Sequence, residues 1–326
     1  MDPPLIGIAR LAHSAATLEA KRAVEYRELP SFQLLNRCTS SRVFFEWTIN
    51  PYRGCEFACR YCYARYTHEF MELRDPALFD NRIFAKQWNP ADFQAALRRL
   101  APGQRIAIGT ATDPYQPAER RYGLTRRVLE ALAARKGLAV FITTKSDLVA
   151  RDLDILAVLA RQHRLRVHFT VTTVDAELAR RIEPRAPRPD LRLGALAALA
   201  TAGIETGVSC APVLPLLTDS PASLDALAAS SARAGAKWMG GGTVFLREPA
   251  RQVFLEFLDR EFPALAAKYR QRFSRSAYLR GDYVEMAQER IEEARRRHGL
   301  GSRPGDDPIP GPQLELDFGG DMLASA

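Results

Sequence analysis

Short apolar runs alternate with longer stretches of helical spacing along most of this chain. The run Val43-Phe44-Phe45-Glu46-Trp47-Thr48-Ile49 is rich in β-branched and aromatic residues and predicts a strand. Four more strands are predicted at Arg105 to Gly109, Leu138 to Thr143, Leu165 to Val171 and Ile204 to Ala211. A weaker sixth spans Lys237 to Leu246, interrupted by Gly240, Gly241 and Gly242. Helical patterns fill the gaps. Asn89-Pro90 opens one that carries Phe93, Leu97 and Leu100, with Pro90 near its first position. Leu124 to Arg135 is amphipathic and stops at Gly137. Asp152 to Gln162, Pro189 to Ala202 and Pro221 to Ala234 follow the same grammar, the last two closed by Gly203 and Gly235. Strand–helix alternation of this kind predicts a parallel sheet with helices outside it. Right-handed crossovers curl such a sheet, and six units predict an α/β fold with a partial (β/α)6 barrel of TIM type.

The ends of the chain break the pattern. Residues 1–40 are expected to be an N-terminal extension with one helix around Leu11 to Tyr26 and no strand. Residues 41–247 hold the barrel, and residues 248–298 are helical only, ending in the charged stretch Arg290 to His298. Residues 299–326 are rich in Gly, Pro and Asp and are expected to be a disordered tail.

Composition narrows the class. With 326 residues, 47% hydrophobic and 26% charged, the chain is a globule rather than a disordered segment. No apolar run reaches the length of about 18 residues that a membrane helix needs. The longest, Leu193 to Ile204, is flanked by Arg192 and Glu205. No basic segment leads into an apolar core at Met1-Asp2-Pro3-Pro4, so a cytoplasmic location is expected. Thiols stay reduced there, and clustered ones usually hold metal. Forty arginines and six lysines outweigh 38 acidic residues, for a net charge of +8. That charge reads either as a generally basic surface or as affinity for DNA or RNA phosphates.

The densest chemistry follows the first strand. In Asn50-Pro51-Tyr52-Arg53-Gly54-Cys55-Glu56-Phe57-Ala58-Cys59-Arg60-Tyr61-Cys62, three thiols stand at Cys-x3-Cys-x2-Cys. Three ligands in one loop suit three corners of a [4Fe–4S] cube, leaving one iron open, whereas electron-transfer clusters take four thiolates. An open position is what a catalytic metal centre needs. Two other readings stand beside it: thiols as core filler, and zinc with Cys38 as a fourth ligand.

This segment resembles the signature of the radical S-adenosylmethionine (SAM) superfamily, with Tyr61 as the aromatic residue before the third cysteine. Further blocks are similar, in order, to the spore photoproduct lyase-like branch: Thr112-Asp113-Pro114-Tyr115-Gln116-Pro117, Thr144-Lys145-Ser146, Arg151-Asp152-Leu153-Asp154, Glu183-Pro184-Arg185 and Ala211-Pro212-Val213-Leu214-Pro215. The resemblance covers about residues 41–285. It implies a [4Fe–4S] cluster on Cys55, Cys59 and Cys62, with SAM chelating the open iron. One electron, from a donor of flavodoxin or ferredoxin type, then splits SAM, and the 5′-deoxyadenosyl radical takes a hydrogen atom from substrate. By residue, the branch's SAM contacts fall on Thr112, Asp113, Lys145 and Thr170. One departure matters: where the lyase places a hydrogen-donating cysteine, two residues before the strand-two hydroxyl, this chain has Thr110. Direct thymine-dimer repair is therefore in doubt.

Strand position supports part of this set independently. In barrels, ligand contacts sit after the C-terminal ends of strands. Thr110, Thr112 and Asp113 follow the second strand, Lys145 the third, Thr170 closes the fourth and Cys210 ends the fifth. Each threonine can equally be a strand-end cap, and Cys210 is either a hydrogen-atom donor or a small core residue. Gly240-Gly241-Gly242 reads as backbone room for the adenosyl group or as a turn. Glu183 and Arg185 read as part of the barrel mouth or as a surface ion pair. His168 alternates on a strand and reads as packed, while His68 lies near the cysteine loop. In the tail, Gln313-Leu314-Glu315-Leu316-Asp317-Phe318 resembles the peptide by which bacterial repair proteins hook onto the sliding DNA clamp, or else it folds back on its own domain. The expected substrate is nucleic acid; the alternatives are a protein, peptide or small metabolite, or a non-catalytic metal-stapled nucleic-acid-binding protein.

Overall fold

The computed structural model describes residues 5–21, 24–40 and 43–302. Its strands, in chain order, are β1 (Thr17–Lys21), β2 (Val24–Pro30), β3 (Leu35–Arg37), β4 (Trp47–Ile49), β5 (Tyr52–Arg53), β6 (Arg82–Gln87), β7 (Arg105–Ile108), β8 (Ala139–Thr144), β9 (Arg164–Thr170), β10 (Glu205–Ser209) and β11 (Met239–Gly240). The larger sheet has the order β11-β10-β9-β8-β7-β4-β3. From β4 to β11 every neighbouring pair is parallel, and β3 joins the edge antiparallel to β4. The parallel strands thus lie side by side in chain order, as successive right-handed crossovers require, and form a partial barrel.

The apolar runs explain the arrangement. β8 is buried at five of its six positions, and Val167, Phe169 and Val171 on and after β9 are fully buried, as in a sheet covered on both faces. Helices outside the sheet add Val128, Leu129, Leu132, Leu156, Leu159, Leu196, Leu199, Leu224 and Leu227 to the same core. Aromatic rings fill the barrel interior. His168 lies 4.5 Å from the Trp238 ring and 5.9 Å from Phe141, so it is packed as expected. A Cβ at Gly207 would stand 2.1 Å from the Trp238 ring, so only glycine leaves room for that indole.

Four expectations are corrected. Residues 1–40 are not a strandless extension: the helix covers only Gly7–Ser14, and β1 and β2 join β6 and β5 in a second sheet, order β1-β2-β6-β5. The first barrel strand begins at Trp47, not Val43. Phe44 instead sets its ring 4.8 Å from Phe141 and stacks on His168 at 6.5 Å. The sixth strand shrinks to Met239–Gly240, after which Thr243 bridges back to Val213 and Phe245 bridges to Tyr278. Gly301 also departs from the expected tail, pairing with Trp238 and accepting from the Met239 N–H at 3.1 Å. The segment Gln313 to Phe318 lies outside the described residues.

A second hydrophobic core covers the end of the barrel where β4 hands over to the cysteine loop. Phe254, Phe257 and Leu258 of the helix Ala250–Glu261, with Ala266, Tyr269 and Phe273, meet Cys55, Phe57, Cys59 and Tyr61 there.

Candidate active site

The cysteine loop is held from below, backbone atom by backbone atom. Gly54 turns the chain after β5 with φ +78°, and a Cβ there would lie 2.8 Å from the Arg82 carbonyl oxygen and 2.9 Å from that of Phe79. Its own carbonyl accepts from Thr112 Oγ1 at 2.6 Å and Gln116 Nε2 at 3.0 Å. The Cys55 N–H donates to Phe79 O, the Arg60 N–H to Ile182 O, and the Cys62 N–H to Cys59 O. Arg65, 1% exposed, donates to the Cys59 carbonyl at 3.0 Å and is paired with Asp80 at 2.8 Å.

The three thiols are free of disulfides and buried or partly so. Burial pushes all three up from the ordinary thiol pKa. Cys55 feels both other sulfurs, and Lys145 is the strongest influence drawing Cys59 back down. Among the described residues, no three Cys, His, Asp or Glu side chains are gathered tightly enough to hold a single ion. A cube places its thiolates on separate irons and needs no such convergence. The donor set fits a cluster: three neighbouring thiols in one loop, two nearby cations, and protons that metal must displace. Cys38 cannot complete a zinc site with them. Its N–H bonds Glu46 O, just before β4, whereas the cysteine loop follows the other end of that strand.

Lys145 stands directly after β8 with its ammonium 5.8 Å from the centre of the Tyr61 ring. Burial works against its charge, but Cys59 and Glu183 outweigh burial and hold its pKa above the ordinary lysine value. Thr170, at the end of β9, is buried, and its hydroxyl has no hydrogen-bond partner among the described residues. The other predicted contacts are occupied. Asp113 accepts from Thr144 Oγ1 at 2.7 Å and from the Lys145 and Tyr115 N–H groups at 2.6 and 2.9 Å, clasping the end of β8 to the loop after β7. Thr112 braces Gly54, and Thr110 pairs with the Asn50 side-chain amide at 3.1 Å.

Beneath the loop lies a polar knot. Glu183 and Arg192, each 1% exposed, pair at 2.5 Å. Glu183 also accepts from the Tyr61 hydroxyl and from Thr172 Oγ1, while Arg192 donates to the Thr170 and Pro187 carbonyls. Arg192 and Lys145 keep the Glu183 carboxyl below its ordinary value although burial pushes it up. Of the two readings of Glu183 and Arg185, the surface ion pair is therefore corrected: Arg185 reaches out to Asn81 at 3.0 Å. A second buried carboxylate, Glu119, accepts from Tyr52 Oη at 2.5 Å and from Arg151 Nη2 at 2.8 Å, fixing β5.

With this geometry, similarity to known proteins becomes informative. The model of the Radical SAM superfamily matches residues 49–227, more than half of the chain. The chain belongs to the radical SAM superfamily. Membership makes it an enzyme whose cofactors are a [4Fe–4S] cluster and SAM, supplied with electrons by a reductant. An uncharacterized protein of Mycobacterium tuberculosis is 39% identical over 273 residues, 82% of this chain and 79% of the relative. An uncharacterized protein of Methanocaldococcus jannaschii is 30% identical over 174 residues, 53% of this chain and 62% of the relative. In fold the chain is similar to a spore photoproduct lyase mutant, with a TM-score of 0.62 at 16% identity over 84% of this chain and 80% of the other. Another mutant of that lyase, with bound AdoMet and dinucleoside spore photoproduct, gives 0.55 at 18% identity over 83% and 78%. Among the described residues, no helix is long and apolar enough to cross a membrane.

Within the radical SAM barrel, Cys210 stands apart from the cysteine loop. It is 1% exposed, part of the main core, and a Cβ at Gly241 would lie 2.8 Å from its Sγ. Close packing on Cys210 is thus what glycine at 241 permits. In the sequence Glu183 reads as a mouth residue or as half of a surface ion pair, and Arg192 only as the flank of an apolar run. Arg192 carries a signal, a charge inside the otherwise apolar spacing of Pro189–Thr201, whereas Glu183, just past the end of the charged helix Ala176–Ile182, carries none.

Proposed function

We propose that this radical SAM enzyme carries its cluster on Cys55, Cys59 and Cys62 and acts on nucleic acid. The observation that carries the first half is one place: three free thiols gathered with Lys145 at the C-terminal ends of parallel strands. When bound, cluster and SAM supply a 5′-deoxyadenosyl radical after one-electron reduction by a flavodoxin or ferredoxin. The Lys145 ammonium would neutralise the SAM carboxylate, and the Thr170 hydroxyl would bond its polar groups. Tyr61, locked by Glu183, walls the site and helps to exclude water. Thr110, Thr112 and Asp113 act as positioning residues for the strand ends, and Cys210 is a core residue.

The second half rests on an aromatic surface next to Cys62. Tyr63 packs on Phe245 at 5.2 Å, and Phe245 stacks on Tyr278 at 5.3 Å and 16°. All three are partly exposed, and Arg247 follows Phe245 closely. Stacked rings beside cations suit unpaired bases. The Gln313 to Phe318 segment would add a tether to the sliding clamp. Anaerobically reconstituted protein should release 5′-deoxyadenosine with dithionite and SAM, and should carry deuterium into it from labelled DNA or RNA. Deuterium arriving only from labelled peptide would replace the nucleic-acid reading, and colourless protein would defeat both halves.

A further inference from the structure

Among the described residues, the buried guanidinium groups Arg65 and Arg192 are answered. Arg65 has Asp80, and Arg192 has Glu183. Arg53 and Lys86 have no such partner. They belong to adjacent strands of the small sheet, since Arg53 on β5 pairs in register with Phe84 on β6, two residues before Lys86. Alternation along β6 puts Lys86 on the same face as Phe84. Lys86 is 7% exposed, and Arg53 has its Nε buried without a hydrogen bond. Neither side chain makes a hydrogen bond or ion pair among the described residues, and Arg53 bears on Lys86 electrostatically. Burial and the Arg53 charge together push Lys86 down to about 7. A second positive charge beside Arg53 is costly in a dry site, so Lys86 holds its proton firmly only when an anion completes the pair.

We infer that Arg53 and Lys86 form an anion subsite that holds a backbone phosphate of the substrate strand. A planar fork beside a point charge suits a phosphate with several oxygens. The neighbours give the chemistry a direction. Tyr66 feels Arg53, Arg247 and Tyr278, so it links the cation pair to the Phe245–Tyr278 stack. A phosphate at Arg53 and Lys86 would therefore lie beside the surface offered to bases. Arg53 precedes the cysteine loop by one residue, so the subsite would also register the strand against the reacting centre. The assignment of a strand as ligand rests on the nucleic-acid reading; the anion site itself does not.

The test uses full-length reconstituted protein, with pyrophosphate and a single-stranded DNA decamer as probes. Pyrophosphate should raise the melting temperature of the wild type but not of Lys86→Met. The decamer should bind Lys86→Met about ten-fold more weakly, with a salt slope lower by about 0.7, while Lys86→Arg stays near wild type. Without ligand, Lys86→Met should melt no lower than wild type, because a buried amine without a partner is gone; this guards against misfolding as the cause. Equal pyrophosphate stabilisation in wild type and Lys86→Met, none in either, or unchanged decamer affinity and slope would overturn the subsite. Pyrophosphate stabilisation lost in Lys86→Met, with no decamer binding by wild type, would keep the anion site and reject the nucleic-acid reading.

Discussion

Arg192 is stranded if Glu183 loses its charge. The pair is dry, and removing one partner of a buried ion pair costs about 3–5 kcal/mol, whereas replacing both often costs little. Glu183→Gln should destabilise by that amount in urea titration, and adding Arg192→Met should return most of it. A single variant within about 1 kcal/mol of wild type would mean that water already reaches the pair. His68 gives a pH prediction at the same scale. Burial, with Arg53, Arg82 and Arg65 around it, pushes its imidazole down to about 4 despite the Arg82 carbonyl at 3.2 Å. An unfolded histidine takes its proton near 6.5. Between those values the unfolded chain binds the proton and the folded chain does not. The contribution is therefore full above about pH 6.5 and falls by about 3 kcal/mol as pH drops toward 4. Measured as the stability gap between wild type and His68→Gln, it should narrow over that window; a constant gap would refute it. At this scale the sequence revealed the thiols, because three cysteines in eight residues have few other uses. It did not reveal the Glu183–Arg192 pair, whose members meet only when a loop and the helix Pro189–Thr201 pack together.

Elements show a different balance. The strands from β7 to β10 were legible because a sheet covered on both faces needs continuous apolar runs. The β1–β2 hairpin was not, because Leu11, Leu18, Val24 and Tyr26 read as a helix until pairing partners exist. β2 finds its parallel partner in β6, more than fifty residues on, a contact that no local pattern announces. The cysteine loop is the element whose conformation is most demanding. Gly54→Ala would bring a Cβ to within 3 Å of two backbone oxygens at a positive φ. We expect this variant to lose most of its iron on reconstitution and to melt several degrees lower. Retention of full iron content at an unchanged melting temperature would show that the turn can relax.

At the scale of the whole molecule, barrel, small sheet and C-terminal helices meet at one place. β4 and β5 lead into the loop, β6 lies beneath it, and the helices Ala250–Glu261 and Pro263–Arg272 close over it. The small sheet is therefore part of the site, since it contributes Arg53 and the carbonyl floor under Gly54. This was the least legible feature, because it depends on how three separated stretches of chain converge. The closing helices also set an order of events for making the enzyme. Two of the three sulfurs are sealed into the same apolar core as Phe254, Phe257 and Phe273. Iron and sulfide delivered to a finished molecule must wait for that seal to part, whereas a nascent chain extended only as far as Pro249, before the closing helices are made, presents an open basket. Assembly on apo-protein should accordingly accelerate in mild denaturant at concentrations below those that unfold the barrel. A rate indifferent to denaturant would mean that the cluster's building blocks have a doorway of their own.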